Sequence, residues 1–151
     1  MKYVAGIVAT IFAAVMSQGQ LPAPQGQAEI PAFHSAPPSK TETLPPVMTQ
    51  AQLAQAGFTV PAQKEAYKAA AKDSALMYQM PCYCFCDRHA GHKSLHSCFE
   101  GTHGAICETC MAEALYVHQQ AKKGWSAKMI RDGIMRKDYQ MVDLQNPQPV
   151  M

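Results

Sequence analysis

The chain has 151 residues, 16% of them charged, and a formal net charge of +2. That length holds one small domain and leaves no room for a second of ordinary size. The low charge argues against a nucleic-acid partner, and the composition excludes a coiled coil, a collagen-like chain and a multi-span membrane protein.

Residues 1–19 read as an export signal. Lys2 gives the positive start, Tyr3 to Met16 an apolar run, and Ser17 and Gly19 the small residues before a cut ahead of Gln20. The run falls short of the roughly 20 apolar residues that span a bilayer, so no stable membrane span is expected after cleavage. No cysteine follows it, which excludes a lipid-modified N-terminus. The expected location is therefore periplasmic or secreted. Residues 20–48 hold seven of the eleven prolines among Gln, Ala and Ser, and are expected to form a disordered linker.

The folded part is expected over residues 49–142, mainly α, with about three helices around an irregular Cys/His-rich loop. Thr49 caps a short helix over residues 50–56, stopped by Gly57. Pro61 opens a second helix running to Gln79, with Ala62, Ala66, Ala69, Leu76 and Met80 on one face. A long helix is predicted from Ala105 to Lys123, ended by Gly124. Ser126 caps a last helix, stapled by Trp125 and Ile130, whose inner face is Met129, Ile130 and Ile134. Residues 143–151 carry Pro147 and Pro149 and read as a flexible tail. Nothing from Cys82 to Gly104 has strand or helix periodicity, so that stretch reads as an irregular loop organised by its own chemistry.

All six cysteines fall in or beside that loop: Cys82, Cys84, Cys86, Cys98, Cys107 and Cys110. Five of the six histidines, His89, His92, His96, His103 and His118, lie in or just beyond the same stretch. Cys82, Cys84 and Cys86 alternate, which puts three sulfurs on one side of an extended strand or lets them converge in a turn. Cys107 and Cys110 share the first turn of the long helix, where the dipole favours thiolate. A cysteine pair before a loop and Cys-x-x-Cys after it is a frequent route to a tetrahedral zinc site. Six sulfurs exceed the need of one zinc, and such an excess suits copper(I) or more than one ion. His92, after Gly91, is the leading nitrogen donor, with His96 in reserve. His118 lies too far along the helix for the same ion, and Met80 and Met111 read as core rather than thioether ligands.

Two other readings stand beside metal binding. An even cysteine count in a small exported domain is the usual disulfide signature, which would make the protein a stapled structural or interaction domain. Cys107-Glu-Thr-Cys110 at a helix start also suits thiol–disulfide exchange, although no strand precedes it. No general base, nucleophile elbow or phosphate loop accompanies them, so an enzyme is not expected.

Pro81-Cys82-Tyr83-Cys84-Phe85-Cys86, Gly91-His92-Lys93-Ser94, Cys98-Phe99, His103-Gly104 and Cys107-x-x-Cys110 together resemble a bacterial family named for its Pro-Cys-Tyr-Cys-Gly-Cys motif. The resemblance runs from about Lys64 to Ile134 and implies an exported protein, often a lipoprotein, of unknown function. Phe85 stands where the motif carries glycine, and the absent lipid-accepting cysteine implies a soluble or differently retained protein. The residues thus predict an exported protein binding copper or zinc through Cys82, Cys84, Cys86, Cys98, Cys107, Cys110 and His92. Storage, delivery or sensing would be its task, with the metal ion and an exported protein as its candidate partners.

Overall fold

A computed structural model describes residues 29–151. The expected signal segment, residues 1–19, and the start of the linker lie outside them. Among the described residues the fold is helical, with seven α-helices, two 3-10 turns and no strand. No helix among them is long and apolar enough to cross a membrane.

Helix α1 (Gln50–Gln55) starts on a complete capping box: Thr49 Oγ1 accepts from the Gln52 N–H, and Gln52 Oε1 from the Thr49 N–H. Helix α2 (Pro61–Lys72) opens with proline at its first position and buries Ala62, Ala66, Ala69 and Ala70, with Tyr67 between them. The predicted continuation to Gln79 breaks at Asp73, and α3 is only Ser74–Met77. The break has two causes, one local and one distant along the chain. Ser74 Oγ donates back to the carbonyls of Ala70 and Ala71, while the Asp73 carboxylate meets His118 Nδ1 at 2.6 Å.

The predicted loop from Cys82 to Gly104 is more ordered than its sequence suggests. It contains α4 (Cys86–His89), a 3-10 turn at Leu95–Phe99, and the start of α5 (His103–Ile106). The long helix predicted from Ala105 is split at Cys107, which leaves helical geometry at φ −119° and ψ 107° and precedes α6 (Glu108–Lys122). From Cys110 to His118 every residue of α6 is buried, so it is the central helix, and α2 packs along it. The small alanines of α2 allow the close approach. Helix α7 (Ala127–Met135) is capped by Ser126, whose Oγ accepts from the Met129 N–H at 3.3 Å. Ile130 and Ile134 face inward as expected, but Met129 is 49% exposed and does not.

Gly133 on α7 looks like a weak point in the sequence, and its surroundings reverse that. A Cβ there would stand 2.0 Å from the Tyr116 hydroxyl and 2.9 Å from its Cζ. In an exposed helix alanine would gain about 1 kcal/mol over glycine. Here Gly133→Ala forces the buried Tyr116 aside and should cost about 1–3 kcal/mol, as overpacking does, in a urea melt.

Both ends of the described residues run against the domain. Residues 29–48, expected as linker, hold Pro31 buried and hydrogen-bond the Ala32 N–H to Asp87 Oδ2 at 3.0 Å. His34 stacks on Tyr78 at 3.7 Å, and the Tyr78 hydroxyl donates to Glu42 at 2.7 Å. The prolines deprive this stretch of donors for a helix or a sheet, and side chains of the domain hold it instead. Residues 143–151, expected as a flexible tail, fold back on α2. The Val150 N–H reaches Glu65 Oε2 at 2.6 Å, and Leu144 and Val150 pack on the core.

Candidate metal centre

Two segments turn inward at the cysteines, each for a local reason. Pro81 ends the helical run, and the Met80 carbonyl instead accepts the Leu95 N–H at 2.9 Å. The Cys82 carbonyl accepts the Phe85 N–H at 3.0 Å, closing a turn in which Phe85 is left-handed, at φ 57° and ψ 33°. This turn converts the Cys82, Cys84, Cys86 alternation into three converging sulfurs. The Glu113 carboxylate, fully buried on α6, accepts the Tyr83 N–H at 2.8 Å and fixes the turn against the central helix. On the other side, Cys98 rides the 3-10 turn, while the kink at Cys107 swings Cys110 beneath the first cluster. Gly104 lets α5 sit close, since a Cβ there would meet the Phe99 ring at 2.7 Å.

Phe85 therefore makes the tight turn where the resembling motif carries glycine. A side chain in this conformation costs roughly 1–2 kcal/mol. Its ring is held by Tyr83 at 5.8 Å, edge to face, and by the Arg88 guanidinium 4.2 Å over its face. Phe85→Gly should leave the cluster intact and shift stability by less than about 1 kcal/mol, because relieved strain offsets lost ring contacts. Phe85→Val puts a β-branched residue in the same conformation and should cost about 2 kcal/mol in the same denaturant titration.

All six cysteines are free thiols that converge on one centre. Cys82 Sγ is 3.4 Å from Cys84 Sγ and 3.4 Å from Cys110 Sγ, and Cys84 and Cys110 are 3.6 Å apart. Cys86 and Cys98 are 3.3 Å apart. A disulfide needs about 2.05 Å, so the expected alternative of stapled pairs is not what these sulfurs form. A tetrahedral ion bound at about 2.3 Å to each sulfur sets neighbouring sulfurs about 3.8 Å apart, and the observed spacings lie close to that edge. Burial of four sulfurs, Cys82, Cys86, Cys98 and Cys110, explains the clustering: away from water each thiol takes the others as soft polar partners.

Two imidazoles complete the centre. His92, the leading nitrogen donor in the sequence, has its Nδ1 3.3 Å from Cys98 Sγ. His103 Nε2 lies 3.6 Å from Cys84 Sγ, although nothing beside it in the sequence marks it as a donor. A helix extended one turn back from Ala105 places His103 on the face of Cys107 and Cys110, which is the signal available for it. The donors form two overlapping groups of four, Cys84, His103, Cys107 and Cys110, and Cys86, His92, Cys98 and His103, each within 4.8 Å throughout. His96, the reserve donor, is buried but turns to Glu100 at 3.2 Å. His118 pairs with Asp73, and Met80 and Met111 lie in the hydrophobic core.

Thiols this close do not ionise independently. Hydrogen bonding with Cys110, then Cys84, holds the Cys82 thiol up, in its protonated form. Hydrogen bonds from Cys107 and then Cys110 hold Cys84 well below the ordinary thiol range, and Cys110 leads those that bring Cys98 down to about 4. The cluster therefore shares its protons among hydrogen-bonded sulfurs, and a soft cation would displace them. Beside His92 an open cavity of about 490 Å³, lined by His34, Glu42, Tyr78, His96 and Glu100 among others, leads to the surface.

A family model for proteins of unknown function with a PCYCGC motif matches residues 58–149. No curated protein and no solved structure matches the chain. The matched span includes all six cysteines together with His92 and His103, the whole of the centre just described. This chain, Phe85 notwithstanding, belongs to the PCYCGC-motif family.

Proposed function

We propose that this protein binds soft transition-metal ions, zinc or copper(I), through its cysteine cluster, and stores, delivers or senses them outside the cytoplasm. One observation carries the reading: six free thiols and two imidazoles gather into groups with metal-ligand spacing, where a stapled domain would have paired its sulfurs. Export is supported by the Lys2-led apolar run and the small residues at Ser17 and Gly19. In an oxidising compartment a bound cation also protects thiols from oxidation, which gives the metal a structural role as well. The open cavity beside His92 suits a protein that exchanges its ion, since it leaves one ligand reachable from solvent.

The test is native mass spectrometry of the exported protein, with elemental analysis and with and without thiol alkylation. Metal that a chelator or acid removes, followed by alkylation of all six thiols, supports the reading. A metal-free chain six hydrogens below the reduced mass, with no alkylation, would overturn it in favour of three disulfides.

A further inference from the structure

The donor set is too large for one four-coordinate ion and is not arranged around one. Cys84, Cys107 and Cys110 gather where α6 begins, and Cys86, His92 and Cys98 gather between α4 and the 3-10 turn. Cys82 belongs to neither side. Its sulfur is 3.4 Å from both Cys84 and Cys110, and it also lies within 4.8 Å of Cys86 and of Cys98. That is the position of a bridge.

We infer, building on the metal-binding reading, that the cluster is binuclear: one tetrahedral ion held by Cys84, Cys107 and Cys110, a second by Cys86, Cys98 and His92, with the Cys82 thiolate shared between them. Two four-coordinate ions have eight ligand positions, and seven residues fill them only if one donor serves twice. A deprotonated thiolate has the lone pairs to do so, whereas a neutral imidazole has one. His103 is then the spare donor. It stands in both four-residue groups, its ring 4.8 Å from that of His92, and can take the place of a sulfur at either ion during loading or release. Six thiolates against two divalent ions leave a formal charge of −2, whereas two monovalent ions would leave −4 inside a largely buried site. The charge balance therefore selects zinc-class ions for this stoichiometry.

The test is stepwise loading of the reduced full chain with zinc(II) and, as a spectroscopic probe, cobalt(II). Native mass spectrometry should show saturation at two zinc equivalents. The cobalt electron paramagnetic resonance signal should grow over the first equivalent and fall over the second, because a thiolate bridge couples the two spins. Cys82→Ser should lose at least one equivalent, and its remaining cobalt signal should not fall on further addition. Saturation at a single zinc, or a cobalt signal that doubles with the second equivalent, overturns the bridged pair and leaves metal binding standing. No zinc or cobalt uptake overturns the bridged pair, and failure to take up copper(I) as well overturns metal binding itself. The wild-type cobalt titration decides the matter even if Cys82→Ser does not fold.

Discussion

Stripping the metal from the folded protein should lower its thermal midpoint by at least about 20 °C. Structural zinc supplies about 10–16 kcal/mol of apparent binding free energy to small domains at neutral pH, comparable to the 5–15 kcal/mol a whole domain usually holds. At about 4 °C per kcal/mol for a domain of this size, a net loss of about 5 kcal/mol gives such a drop. The reason lies in what the centre spans. Residues from Cys82 to Cys110 contribute few large apolar side chains to the core, chiefly Leu95 and Phe99, and their backbone turns meet around sulfur. Without a cation, the buried thiols Cys82, Cys86, Cys98 and Cys110 have only weak contacts with neighbouring thiols and, at Cys98, with His92. The effect should be local before it is global. Hydrogen exchange in the stripped protein should speed up over Cys82–Cys107 first, while α2 and the second half of α6 stay protected. Acid should mimic the chelator, because ligation displaces thiol protons and falling pH reverses it. The stripped and loaded forms are compared by thermal melts under reducing conditions, and equal midpoints would show that the centre does not hold the fold.

The helical scaffold was legible because its signals are local. Thr49, Pro61, Ser126 and the stops at Gly57 and Gly124 each act within a turn or two, and each is found in place. What the sequence hid depends on contacts distant along the chain. The break at Asp73 is tied to His118, 45 residues away, and the packing of residues 29–34 depends on Asp87 and Tyr78. Neither has a periodicity to read. The cysteines announced a site by number and type, but their convergence rests on the left-handed turn at Phe85 and the kink at Cys107. His92 was found through its neighbours Gly91 and Cys98. His103 was missed because its value comes from α5, a helix of four residues that rests against Phe99 through Gly104. The same distance from local signals explains Met129. Its spacing put it on the inner face of α7, yet the face that α6 covers is the one of Ile130, Gly133 and Ile134.

Phe99→Ala should cost about 3–5 kcal/mol, the usual range for truncating a buried aromatic. Phe99 has no exposed surface and packs edge to face on Tyr67 at 4.9 Å, itself fully buried on α2. On its other side its ring fills the space above Gly104, and its carbonyl accepts the Met48 N–H at 2.9 Å. The ring thus connects α2, the turn that carries Cys98 and the helix that carries His103, while the backbone of the same residue holds the segment at Met48. Truncation leaves a cavity at the floor of the metal centre, and the surrounding helices, fixed by the α2–α6 contact, have little freedom to collapse into it. In the metal-free protein a loss of this size takes a large part of the total stability, so the stripped variant should be substantially unfolded at 37 °C. The loaded variant should stay folded but bind its ions more weakly, because the unfolded fraction competes with binding. Phe99→Leu, which keeps most of the volume, should cost under about 1.5 kcal/mol and leave affinity near normal. Urea melts of both variants, with and without zinc, measure the two effects separately. If Phe99→Ala costs under 1 kcal/mol in the stripped protein, the ring is not the joint between core and centre, and the sulfur cluster alone organises the segment.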